Sequence, residues 1–396
     1  MLYRTFPKIP DVQVSNLGFG CMRLPVVNNV YSDIDRELSE QLFRLAFDQG
    51  VNYFDTAYPY HEGSSERVLG AALKKLGIRD RVYIADKSPV WLVKSEADWD
   101  RILNEQLERL QTDYIDFYLF HALSGENWEK VLRFNGLKAI ERARKAGKIR
   151  YIGFSFHHSL DIFKKIVDEY DGWEFTQLQF NYLDTRYQAG LEGLRYAASR
   201  QLGVISMEPL RGGLLASPPK EVLDIFSAAE KPRIPAEWAL RYVWEYQEIT
   251  TALSGMNTME QVTLNCAAAS AGKPNSLPSP ELAVVERAAQ WFRSKMKTPC
   301  TACKYCMPCP QGVSIHDVFN EYNICSMRGD MDREPVSGGA SWHSEWYVNT
   351  LMKEGRGADR CVSCGVCVSK CPQRIPIPEM LAEAHRALSG AGGGKN

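Results

Sequence analysis

The residues of this 396-residue chain that could do chemistry fall into two groups. In the first, Cys300, Cys303, Cys306 and Cys309 follow one another at C-x2-C spacing, and Pro310 comes next. Cys361, Cys364, Cys367 and Cys371 repeat the pattern, with one extra residue before the final Cys-Pro. Near copies follow, CPQGVSIHDVF in one and CPQRIPIPEML in the other, so the block is an internal repeat. Nine of the eleven cysteines lie between Cys300 and Cys371. In a reducing compartment such density marks a metal site, not disulfides. Zinc also uses C-x2-C pairs, but it normally joins two separate knuckles and does not string four cysteines toward a proline. Cys325, between the strings, reads as a small buried hydrophobe. The second group is Asp55, Tyr60, Lys87 and His121. Reducing a carbonyl with a hydride needs a proton donor at the nascent alkoxide, and a phenol with its ordinary pKa of about 10 is a reluctant one. A nearby ammonium, Lys87, lowers that value, Asp55 holds the lysine charged and oriented, and His121 can orient the carbonyl oxygen. Tyr58 is a rival donor in the same loop. Taken singly, each of these is ordinary packing or a solvated charge.

What must position them is a regular alternation. Short apolar, β-rich runs occur at Leu17–Met22, Val51–Ala57, Val82–Ser88, Tyr114–His121, Ile149–Ser155, Phe175–Asn181, Gly203–Glu208 and Ile249–Gly255. Stretches such as Asp35–Asp48 and Trp99–Leu110 carry helical i, i+3, i+4 spacing between them. Eight strand–helix units close naturally into a (β/α)8 TIM barrel, with Asp55, Lys87 and His121 at the C-terminal strand ends where such barrels keep their chemistry. An open doubly wound sheet competes, but Gly18-Phe19-Gly20 lacks the third glycine of a dinucleotide fingerprint. The expected organisation is a barrel over 1–266, a linker over 267–280 rich in small residues and proline, a small α-rich two-cluster domain over 281–388, and a flexible tail over 389–396.

The string FDTAYPYHEGSSERVLG, with VYIADKS and YIDFYLFH, resembles the signature of the aldo-keto reductases across roughly residues 1–266. That resemblance implies carbonyl/alcohol interconversion on a small molecule with Tyr60 as general acid, beside Asp55, Lys87 and His121. It also implies NADP(H) or NAD(H) near Gly20, Cys21, Met22, Ser155, Gln177, Met207, Leu210 and Arg211. Phe156 replaces the family's carboxamide-gripping Asn, and Met207 its ring-stacking tyrosine. Asn257, Thr258, Gln261 and Asn265 fall in the adenosine-phosphate loop, where Gly255 and Gln261 stand in place of the family's cationic 2′-phosphate clamp. Arg211 could restore charge there, or be an exposed loop cation. His157-His158 could touch substrate or be solvated. The cysteine block resembles two-cluster bacterial ferredoxins. That implies two 4Fe–4S clusters with crossed ligation, Cys300, Cys303 and Cys306 with Cys371, and Cys361, Cys364 and Cys367 with Cys309.

Hydride transfer moves two electrons together, whereas a 4Fe–4S cluster ordinarily passes one, so a flavin could lie between them. Three readings stay open: a reductase whose clusters exchange electrons with its site or a redox-protein partner, a reductase with structural or sensing clusters, or an electron-transfer protein with a vestigial barrel. A net charge of −1 without a basic stripe excludes a nucleic-acid partner. No apolar run has the length of a membrane helix or the form of a signal peptide, so no membrane partner and a cytoplasmic location are expected.

Overall fold

The structure, a computed structural model, describes residues 1–28, 30–300, 302, 304, 306–329, 342–371 and 373–389. Among the described residues there are ten strands: β1 (Tyr3–Phe6), β2 (Ile9–Ser15), β3 (Leu17–Gly20), β4 (Tyr53–Asp55), β5 (Tyr83–Ser88), β6 (Ile115–Leu123), β7 (Ile149–Phe156), β8 (Phe175–Gln179), β9 (Gly203–Met207) and β10 (Ile249–Ser254). The last eight close into a barrel in the order β10-β3-β4-β5-β6-β7-β8-β9, parallel throughout. Every barrel strand falls within the runs expected from sequence or overshoots them by one or two residues.

The first two strands are an addition that sequence reading left unassigned. They form an antiparallel hairpin with Tyr3 opposite Ser15 and Arg4 opposite Val14. Its apolar residues Phe6, Ile9, Val12 and Val14 join Tyr53, Phe117, Phe175 and Ile205 in one buried cluster. Fully burying a side chain such as Phe6 contributes about 1.5–3 kcal/mol. Gly203 makes room for it, because a Cβ there would lie 2.1 Å from the Phe6 ring. A second, larger cluster lines the outside of the barrel strands against their helices.

The helices of the first part of the chain are α1 (Arg36–Asp48), α2 (Ser64–Leu76), α3 (Ala97–Leu110), α4 (Gly125–Arg133), α5 (Gly136–Lys145), α6 (Leu160–Asp168), α7 (Gly190–Ser199), α8 (Lys220–Ser227), α9 (Pro235–Trp244) and α10 (Met259–Ser270). The later ones are α11 (Ser279–Lys295), α12 (Ile315–Arg328), α13 (Trp342–Trp346) and α14 (Ile377–Ser389), with a π-turn over Tyr347–Met352. No helix among the described residues is long and apolar enough to cross a membrane.

The chain divides into two compact units, Met1–Ala216 with Arg233–Leu282, and Ser217–Pro232 with the chain from Ala283 onward. Two boundaries differ from expectation. The excursion 217–232, which carries α8, groups with the second unit. The expected linker 267–280 begins inside a helix, because Ala267, Ala268 and Ala269 are strong helix formers and the last two are buried in the barrel's outer core. Of the expected tail 389–396, Ser389 still belongs to α14 and the rest lies outside the described residues.

In the second unit the sequence repeat becomes a structural one. Cys309 and Cys371 are each followed, six residues later, by the first residue of a helix, α12 and α14 respectively. Phe319 and Tyr322 of one helix and Leu381, Ala384 and Leu388 of the other share a small apolar core, and the Tyr322 hydroxyl donates to Glu383 at 2.5 Å. Cys325 is buried in that core.

Candidate active site

Parallel register sets the height of each reactive side chain. Asp55, the last residue of β4, lies opposite Gly20 of β3 and Ala85 of β5. Lys87, two residues further along β5, lies opposite Leu119 of β6, and His121 follows two residues beyond that. The Lys87 ammonium donates to Asp55 Oδ1 at 2.7 Å and to the Thr56 carbonyl at 2.7 Å. Both charged side chains are almost wholly buried. The Tyr60 ring lies over this ammonium, 5.0 Å from Nζ to the ring centroid, and meets the His121 ring edge-on at 6.2 Å. Tyr58 points elsewhere: its hydroxyl donates to the Glu105 carboxylate, with Arg109 stacked on its ring.

Charge follows from this packing. Burial alone would pull the Lys87 ammonium down, but Asp55 and Tyr60 outweigh it and its pKa stands above the ordinary lysine value. Burial pushes the Tyr60 phenol up to about 12, against the opposing pull of Lys87. The expectation that Lys87 lowers the phenol is therefore right for the pairwise effect and wrong for the net result, because desolvation wins. His121 is held well below the ordinary histidine value by burial, by the Lys87 charge and by His157, so it is neutral across the physiological range.

Two local devices aim these rings. After Tyr60 the backbone takes three successive left-handed conformations, at His61, Glu62 and Gly63, with φ of 51°, 54° and 89°. A non-glycine residue in that region carries strain. His61 pins the turn: its Nδ1 meets the Tyr31 carbonyl at 2.6 Å, and its Nε2 accepts the Leu24 N–H at 3.2 Å. The second device is an irregularity in β6 between Phe120 and Leu123, where Ala122 has φ of 51°. Such bulges re-aim side chains. Here the Ala122 N–H, taken out of the ladder, donates to Ser155 Oγ at 2.8 Å.

Ser155 therefore supports the His121 bulge. The neighbouring Phe156 faces the outer core and packs on Phe163. Gln177 and Met207 are brought together, the Gln177 amide nitrogen lying 3.7 Å from the Met207 sulfur while its buried carbonyl oxygen has no protein partner. Gly20 lies 3.5 Å from Ser254 where a Cβ would be, Cys21 is fully buried, Met22 is exposed and Leu210 is half-buried. Thr258 caps α10 by accepting the Gln261 N–H at 3.2 Å, and Gln261 reaches back to accept the Asn257 N–H at 2.9 Å, a variant of the capping box in which the return bond goes to the residue before the cap. Asn265 is buried and donates to Ser254 Oγ. Arg211 is not an exposed loop cation. It is 9% exposed and its Nε bonds the Asp184 carboxylate at 3.0 Å.

Sequence reasoning missed Arg23, whose Cβ lies 3.3 Å from where a Gly255 Cβ would be and whose guanidinium pairs with Glu208 at 3.1 Å. It also missed Trp91, 5.1 Å from the His121 ring. An arginine three residues past the end of β3 and a tryptophan soon after the lysine-bearing strand were the available signals.

The cysteines also sort into two sets. Cys300, Cys306 and Cys371 open into one cavity, together with Lys304, His316, Ile315, Phe319 and Ile375. Cys309, Cys361 and Cys364 are the neighbours whose charge acts on Cys367. Cys303 lies outside the described residues.

Residues 16–276 match the model of the aldo/keto reductase family, and residues 299–375 match that of the 4Fe-4S dicluster domain. The chain is 30% identical to an L-galactose dehydrogenase of Arabidopsis thaliana over 276 residues, 65% of this chain and 85% of that protein. It is 27% identical to the uncharacterized oxidoreductase YqkF of Bacillus subtilis, over 66% of this chain and 89% of that one. The holo form of aldo-keto reductase AKR11C1 from Bacillus halodurans superposes with a TM-score of 0.60 at 25% identity, covering 73% of this chain and 96% of that one. With its closed barrel and these matches, the chain is an oxidoreductase that belongs to the aldo/keto reductase family and carries a 4Fe-4S dicluster domain after its barrel.

Proposed function

We propose that the barrel interconverts carbonyl and alcohol groups of a small molecule with NADP(H) or NAD(H), and that the second unit carries two 4Fe–4S clusters that exchange electrons with a redox partner. The observation that carries the first part is the buried Lys87–Asp55 pair beneath the Tyr60 ring, with neutral His121 against its edge. A phenol held at about 12 keeps its proton at neutral pH, which suits it to donate that proton to a forming alkoxide. Lys87 favours the phenolate left behind, and Asp55 keeps the lysine charged through the cycle. His121, uncharged, can hydrogen-bond the substrate oxygen without competing as an acid.

The donor set also fits a nicotinamide. Gln177 offers an unpartnered buried carbonyl oxygen beside Met207, whose thioether can cover a ring face. The cofactor supplies or accepts the hydride when bound. Two cations that could serve its phosphate end are already committed. Arg23 and Arg211, on the loops after β3 and β9 that flank β10, are paired with Glu208 and Asp184. Weak discrimination between NADPH and NADH follows, because Gly255 and Gln261 bring no charge to a 2′-phosphate.

The thiol donor sets fit iron–sulfur clusters. Cys300, Cys303, Cys306 and Cys371 would hold one, and Cys309, Cys361, Cys364 and Cys367 the other; the first set's shared cavity supports this crossed pairing. Each cluster, when bound, passes one electron. An anaerobic absorption spectrum of the purified protein, titrated with NADH and then NADPH, tests the whole reading. It should show cluster bands and the binding of both nucleotides. A flavin band would identify the group linking hydride to single electrons, and zinc in place of iron would overturn the cluster assignment.

A further inference from the structure

We propose that the loop around Cys364 is a docking port for a small acidic one-electron carrier protein. This rests on the two-cluster reading above and adds which cluster meets the partner, and by what chemistry. The two cysteine sets differ in what surrounds them. Cys300, Cys306 and Cys371 share a cavity walled by Ile315, Phe319, Ile375 and Ile377, none more than 3% exposed. Cys364 faces solvent, alone in doing so among the described cysteines. Electron transfer weakens steeply with distance, so a partner exchanges electrons with the cluster nearest the surface.

The surface beside Cys364 has the composition of an interface. Val362, Val366 and Val368 are 62%, 43% and 38% exposed on one short loop. A single exposed valine needs no explanation, whereas three within four residues of one exposed cysteine put an unusual amount of apolar surface on one loop. The rim is basic. Residues 359–374 hold three cations, Arg360, Lys370 and Arg374, against one acid, Asp359, in a chain whose net charge is −1. Lys370 and Arg374 are exposed and make no ion pair among the described residues. Exposed apolar side chains and unpaired cations on one loop favour a partner that brings apolar surface together with acidic groups, and the opposed charges steer the encounter. The step at the port is simple. Cys309, Cys361, Cys364 and Cys367 would hold the accepting cluster, which would be reduced by the one electron that the carrier loses on being oxidised, with no bond made or broken and no proton moved.

The test uses the full-length, iron-loaded protein and stopped-flow mixing with photoreduced flavodoxin as the acidic carrier. The methyl viologen radical cation is the small-molecule control. The double variant Lys370→Glu/Arg374→Glu should reduce the second-order rate with flavodoxin about tenfold at low salt and flatten its salt dependence, while the viologen rate stays within about threefold. Lys220→Glu, a charge change on α8, should leave the flavodoxin rate unchanged. Val366→Ser, which alters no charge, should lower that rate by about threefold, and it decides the matter if the double variant takes up less iron. An unchanged flavodoxin rate in a fully loaded variant overturns the port, as does an equal loss in Lys220→Glu. Rates that fall as the protein's own concentration rises would show a second copy covering the loop, and overturn it too. Failure of the wild type to take up iron would overturn the cluster reading beneath it.

Discussion

The barrel mouth and the cysteine loops both gather reactive side chains, but they hold them by different physics. At the barrel mouth, Asp55 and Lys87 stand on neighbouring strands whose register the hydrogen-bond ladder fixes, and the ion pair closes at 2.7 Å. The cysteines stand on loops. Among the described ones, most are half-buried and one is exposed, and a small apolar core with residues from α12, α14 and the π-turn lies behind them. A large core can preorganise a site, whereas a small module depends on the bonds its ligands make to metal. The difference teaches where each half should fail.

Removing iron is the largest test of it. Chelation, or Cys371→Ser, should unfold the second unit while leaving the barrel intact, seen as loss of helical circular dichroism and new protease cleavage confined to residues 217–232 and the chain from Ala283 onward. Unfolding of the barrel at the same time would erase the distinction.

Lys87→Met comes next. It strands the buried Asp55 carboxylate, and breaking a buried pair in this way costs about 3–5 kcal/mol, so both activity and thermal stability should fall. Adding Asp55→Asn should restore most of the stability and none of the activity. Recovery of activity in the double variant would show that the pair is structural alone.

Tyr60→Phe separates chemistry from folding more finely. Carbonyl reduction should fall by roughly 10²–10⁴-fold, with nucleotide affinity and melting temperature nearly unchanged. Full activity in Tyr60→Phe beside an inactive Tyr58→Phe would move the donor to Tyr58, against its bonding to Glu105.

The pH profile is a smaller effect with a definite sign. Reduction needs Tyr60 protonated, and a phenol at about 12 stays so through neutral and mildly alkaline pH, so the rate of the chemical step should be flat there. His121, held well below its ordinary value, should add no limb near pH 6.5. A single-turnover profile breaking at 6.5, and losing that break in His121→Asn, would show a charged imidazole. The smallest effect expected is nucleotide preference. Dissociation constants for NADPH and NADH should differ by less than about tenfold, or roughly 1.4 kcal/mol. A hundredfold preference for NADPH lost in Arg23→Ala would show that Arg23 leaves Glu208 to serve as the clamp.

Much of this was legible in the sequence because it is local or periodic. The eight barrel runs announce themselves by apolar patterning, and the cysteine strings by spacing. The β1–β2 hairpin did not, since Pro10 and Asp11 interrupt the alternation of Ile9, Val12 and Val14 and hide its inward face. What the sequence determined alone was the barrel, the cluster module and the candidate reactive set, since each depends on residue type at fixed separation. What only the tertiary structure decided were the relations among distant segments. The Tyr60 phenol is raised on balance although Lys87 lies beneath it, because burial is a sum over every surrounding atom. Arg211 is spent on Asp184, Ser155 on the Ala122 N–H, and Cys371 shares a cavity with Cys300 across seventy residues, because pairing partners are chosen by proximity in space.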